Sequence, residues 1–84
     1  MHLEMYAEAI DDYTKALKLG GESSYLSSYI YQNRGVMYLK SHQNTLAISD
    51  LNKVIGYQPK VSQERLDKVI AGKTQALKEQ TESN

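Results

Sequence analysis

The chain has 84 residues, no cysteine, and ten basic side chains balanced by ten acidic ones. That length fits one small domain, which buries only about 60% of its unfolded surface and has modest stability. Absence of Cys removes disulfides, thiolate zinc sites and thiol chemistry; the neutral balance gives no general attraction to nucleic acid or to an anionic membrane.

The balance hides an asymmetry: residues 1–33 carry five acids against Lys15 and Lys18, and residues 34–84 carry eight basic residues against five acidic ones. This either favours head-to-tail contact between copies or is ordinary scatter of solvated charge. No apolar run reaches the roughly 20 residues of a membrane span, and the acids of MHLEMYAEAIDDY do not suit a signal peptide. A cytoplasmic protein is the expectation. All seven aromatics are tyrosine, a ring with a polar tip that suits half-buried helix faces and contact surfaces alike.

Taken in order, residues 3–19 read as a first helix, with Leu3, Tyr6, Ala9/Ile10, Tyr13 and Ala16/Leu17 recurring at three and four. Its acids come early and its lysines late, as the helix dipole favours, and Gly20-Gly21 ends it. Ser23 or Ser24 is the expected N-cap of a second helix that runs to about Lys40. That helix has two usable faces. Tyr31, Gly35 and Tyr38 share one; Tyr25, Tyr29, Gln32, Val36 and Leu39/Lys40 share the other. Gly35 costs about 1 kcal/mol of helix propensity relative to Ala, so close approach of another helix, near Ala47, is expected to compensate.

Ser41–Asn44 is a polar turn short enough to require an antiparallel return. The third helix spans Asn44 or Thr45 to Tyr57, burying Leu46/Ala47, Leu51 and Val54/Ile55, before Pro59 stops it. A fourth begins near Ser62 with a thinner stripe of Leu66, Val69/Ile70 and Ala76/Leu77; Gly72 weakens its middle and Thr81–Asn84 should fray.

The first and third helices repeat. Ala9-Ile10, Asp12, Tyr13, Lys15 and Ala16 align with Ala47-Ile48, Asp50, Leu51, Lys53 and Val54, 38 residues on. Repeats of this period point to a helical solenoid. Tyr31-x-x-Arg34-Gly35-x-x-Tyr38, with Ala47-x-x-x-Leu51 and then Pro59, resembles the tetratricopeptide repeat. Tyr31 stands for the usual Trp-like aromatic. Arg34 departs from the usual Leu and leaves that point less apolar, and the period exceeds the family's 34 residues by about one helical turn, around Ser24–Ser28.

The resemblance implies an all-α fold of four antiparallel helices in one solenoid domain, residues 1–84. Residues 3–19 would be a partial repeat, 24–59 a full repeat and 60–80 a polar capping helix. It implies a protein–protein interaction module without catalysis or cofactor, whose partner is a protein or peptide. By position, Tyr25, Tyr29, Gln32, Asn33, Val36 and Lys40 would line its concave face. Asn33 stands where such repeats hydrogen-bond a peptide backbone; alternatively it bonds locally, and Tyr25 and Tyr29 simply cover the next helix. Gln63 and Asp67 do not suit a carboxylate clamp.

The rival expectation is structural. With no preceding helix in this chain, the Tyr6, Ile10 and Tyr13 side of the first helix would meet another copy in a homodimer or array. His2 and His42 are too far apart to share a metal. Asp11 and Asp12, as neighbours on a helix, point to different sides. No Ser-His-Asp spacing or glycine-rich phosphate loop occurs, and with the neutral charge balance neither nucleic acid nor membrane is an expected partner.

Overall fold

The computed structural model describes residues 3–20, 26–57 and 61–82. Those residues form four helices and no strand: α1 (Leu3–Gly20), α2 (Leu26–Lys40), α3 (Asn44–Ile55) and α4 (Gln63–Glu82). The helices pack into one small globule in which α2 lies against α1, α3 and α4, and α4 also lies against α3. The readings that fall on His2, Gly21, Ser23, Ser24, Tyr25 and Pro59 lie outside the described residues.

Helix ends follow local chemistry. At the end of α2, His42 takes the left-handed conformation, φ 62°. Its N–H donates to the Leu39 carbonyl and that of Gln43 to Tyr38, a paired cap that satisfies two orphan carbonyls. Histidine is one of the residue types enriched there. α3 ends at Ile55, two residues before the expected Tyr57. Gly56 closes the last turn by donating to Asn52, and the Tyr57 N–H bonds back to Val54. Tyr57 is thereby released from the helix and comes within 6.5 Å of the Tyr31 ring, centroid to centroid. Ser62 caps α4, its Oγ accepting from the Arg65 N–H. α4 continues past the expected end to Glu82, with Thr81 Oγ1 donating to the Leu77 carbonyl.

The core joins all four helices through Leu17, Tyr31, Leu51, Val54, Val61, Leu66 and Val69. Val61 was not expected there. At three of the candidate pairs on α3 and α4 the structure buries one member: Ala47 and not Leu46, Val69 and not Ile70, Ala76 and not Leu77. On α1, Tyr6, expected on the side that meets another copy, is buried within the single chain together with Leu17; Ile10 and Tyr13 are half-buried. Among the described side chains of that helix, the large apolar ones that are exposed are Met5 and Leu19.

Leu51 is the hub. A Cβ placed on Gly35 would stand 3.0 Å from Leu51 Cδ2, 3.2 Å from its Cγ and 3.3 Å from Asp50 Cβ. A Cβ on Gly72 would stand 3.3 Å from Leu51 Cδ1. The two glycines thus let α2 and α4 close on opposite methyls of one leucine. The nearest neighbours of Gly35 are Leu51 and Asp50, and Gly72, expected only as a weak point, marks a second close approach.

Candidate functional site

The expected groove residues lie along α2. Tyr29 and Asn33 are exposed, Gln32 and Val36 are half-buried, and Lys40 is exposed at the far end. At 1.5 Å per residue, Lys40 stands roughly 16 Å from Tyr29, so these residues mark a strip rather than a pocket. Tyr25 lies outside the described residues.

What gathers the N-terminal part of the strip is Arg65, one turn into α4. Its Nε donates to Gln32 Oε1 at 2.7 Å and its Nη2 to Ser28 Oγ at 3.2 Å. Its guanidinium lies 3.7 Å from the centroid of the Tyr29 ring. Arginine can do all three at once because its planar fork both hydrogen-bonds in plane and stacks on an aromatic face. Ser28 is fully buried, so its hydroxyl needs this partner. The result is an aromatic and amide surface spanning α2 and α4, with Asn33 open beside it. Gln63 is drawn away along α4, donating to Asp67 Oδ1.

A second arginine works on the opposite side of α2. Arg34 Nε and Nη2 donate to the two oxygens of Asp50, both at 2.7 Å, and Nη1 donates to Thr14 Oγ1 at 3.1 Å. Thr14 Oγ1 in turn donates to the Ile10 carbonyl. The Arg34 guanidinium carbon lies 5.6 Å from the ring centroids of both Tyr31 and Tyr38. The hydrogen bonds to Asp50 raise the Arg34 pKa against the opposing effect of burial, so the charge is held. One side chain therefore ties α1, α2 and α3 together.

At the far end, the turn between α2 and α3 meets the last turns of α4. His42 Nδ1 stands 3.5 Å from Glu79 Oε1, and Gln80 Nε2 donates to Thr45 Oγ1 at 2.7 Å. Hydrogen bonds from Gln75, His42 and Asn44 hold the Glu79 carboxyl below its usual 4.5.

Sequence reasoning missed both arginines as organisers. For Arg34 a signal was present: a charge on an otherwise apolar face needs a buried counter-charge, and Asp50 lies on the buried stripe of α3 next to Leu51. For Arg65 no periodic signal exists, because its partners Ser28, Gln32 and Tyr29 lie on another helix and carry no opposite charge to mark them. Comparison with family models, with curated proteins and with solved structures gives no match.

Proposed function

We propose that the chain is a tetratricopeptide-like module that binds a protein or peptide along the α2–α4 face. The supporting observation is the cluster of Tyr29, Gln32 and Arg65, which joins two helices into one polar and aromatic strip continued by Asn33 and Val36. A rigid aromatic supplies contact area at low entropic cost, and exposed amides supply adaptable hydrogen bonds. The α2–α3 pair supports the antiparallel part of the reading. Arg34 meets Asp50 and the earlier Tyr31 meets the later Lys53, across a turn held by the His42 and Gln43 amides. The repeat of α1 in α3 supports the solenoid part. On this reading Arg34 replaces an apolar family position and brings its own counter-ion.

Selection from a random peptide display library, followed by amide-shift mapping of the enriched peptides, tests the proposal. Enriched peptides should perturb residues 29–40 and the first turns of α4, and Tyr29→Ala with Asn33→Ala should weaken them at least about tenfold. Perturbation confined to other surfaces would refute it. The second reading, self-association through the first helix, rests on exposed Met5 and Leu19 rather than on Tyr6, which is buried. Sedimentation equilibrium separates the two: a monomer at high micromolar concentration removes the second.

A further inference from the structure

The outer side of α1 carries a pattern that the interior of the molecule already uses. Met5, Ala9, Asp12, Ala16 and Leu19 recur at spacings of four and three, which places them on one stripe of the helix. Met5 and Leu19 are exposed, the latter by 91%, and Asp12 is exposed midway between them. Among the described helices, α1 packs on α2 alone. Ala9, Asp12 and Ala16 align with Ala47, Asp50 and Val54 of α3, and all three of those are buried. There Asp50 is gripped by a basic residue of the next helix, Arg34. The stripe on α1 therefore suits a helix that offers apolar side chains and one cation opposite Asp12.

Such a surface stands on α4. Ile70 and Leu77 are about half exposed along one side of it, with Lys73 between them. Lys68 and Lys78 pair with Glu64 and Glu82 of their own helix, whereas Lys73 has no ion pair among the described residues. Asp12 is likewise unpaired: Lys15 bonds Asp11, and Asp12 acts on that lysine only at longer range. We infer that α1 of one copy docks head to tail on the Ile70–Leu77 side of α4 of another, with Asp12 meeting Lys73.

Charge selects this pairing over its rivals. Asp12 lies seven residues from both Met5 and Leu19, so a two-fold contact of α1 with α1 would bring two carboxylates together. A two-fold contact of α4 with α4 would do the same with two lysines. The mixed contact replaces either repulsion with an attraction and still covers the apolar side chains on both helices. Within one chain α1 and α4 do not touch. Each contact thus leaves an α1 free at one end and an α4 at the other, and addition continues. The inference rests on the self-association reading above and assigns its two surfaces.

Analytical ultracentrifugation of the full chain tests it, with Leu19→Glu spoiling one surface and Leu77→Glu the other. The parent's average mass should rise with concentration beyond that of a dimer. Each variant alone should be monomeric, its self-affinity at least about tenfold weaker. Mixed in equal amounts, the two should form a dimer of one of each and nothing larger, because one supplies an intact α4 and the other an intact α1. Both side chains are exposed, so an unchanged melting temperature verifies that the fold survives. Asp12→Lys should also dissociate the parent assembly, and adding Lys73→Asp to the same chain should restore it. A parent that stays monomeric at high micromolar concentration would overturn this inference and the self-association reading together. A dimer lost in Leu19→Glu but kept in Leu77→Glu would retain that reading and overturn this inference. A mixture that stays monomeric would overturn it as well.

Discussion

Two of the seams that α2 makes, one with α3 and one with α4, are each crossed by an arginine, yet they are built on different chemistry. Across the α2–α3 seam Arg34 faces a carboxylate that is 3% exposed, in a bidentate grip, beside a glycine in tight contact with Leu51. Across the α2–α4 seam Arg65 faces a neutral amide and a hydroxyl, and rests on a tyrosine that is 43% exposed. A buried charge with one matched partner has no cheap alternative, so the first seam is fixed. A hydrogen bond from an arginine to a neutral amide or hydroxyl at a half-open surface can be exchanged for one to a better acceptor, so the second seam is suited to contact with something else.

The sharpest way to break this contrast is to remove the charge from the fixed seam. Arg34→Met strands Asp50 in a buried position and should destabilise by about 3 kcal/mol, which for a chain of this size lowers the melting temperature by more than about 10 °C. Thermal melts measure it, and adding Asp50→Leu should recover most of the loss. A smaller cost falls on Gly35→Leu. Its Cβ alone would stand 3.0 Å from Leu51 Cδ2 and 3.3 Å from Asp50 Cβ, so overpacking should outweigh leucine's better helix propensity by about 2 kcal/mol. Urea denaturation measures that difference, and a variant as stable as the parent would show that the seam is loose.

On the α4 side the same kind of change should go the other way. Gly72 is half-exposed, and its added Cβ would meet only methyl ends, Leu51 Cδ1 at 3.3 Å and Leu39 Cδ2 at 3.8 Å. Gly72→Ala should therefore stabilise by up to about 0.5 kcal/mol, part of the roughly 1 kcal/mol helix gain being lost to the shift of Leu51. The smallest effect is electrostatic. Because the folded Glu79 carboxyl titrates below 4.5, its contribution is fully present above that pH and is lost as the pH falls through the folded value. Denaturation midpoints measured from pH 6 down to pH 3 should show a smaller acid loss in Glu79→Gln than in the parent.

The contrast also separates what the residues reveal in order from what they reveal only in space. Helix content, the turn at Ser41–Gln43 and most of the buried stripe were legible, because period and capping are local properties. Gly35 was legible as a close approach, since an unfavourable residue in a helix implies compensation. Its nearest neighbours were not, because Ala47 and Leu51 lie one turn apart on the same face of α3. That Tyr6 and Leu17 are buried on α1 while Met5 and Leu19 are exposed was open, because a helix with apolar residues on two stripes does not say which stripe α2 covers. Of the candidate site, Tyr29 and Gln32 were placed by position alone. Arg65 was out of reach, since nothing in a serine, a glutamine and a tyrosine 33 or more residues away marks them as its partners.

A pair of double-mutant cycles tests the contrast most directly. One cycle combines Arg34→Met with Asp50→Leu, the other Arg65→Met with Gln32→Leu, each read by chemical denaturation. A fixed ionic seam and an exchangeable neutral one predict coupling of about 3 kcal/mol for the first pair and about 1 kcal/mol or less for the second. Equal couplings, or a larger one between Arg65 and Gln32, would contradict the account.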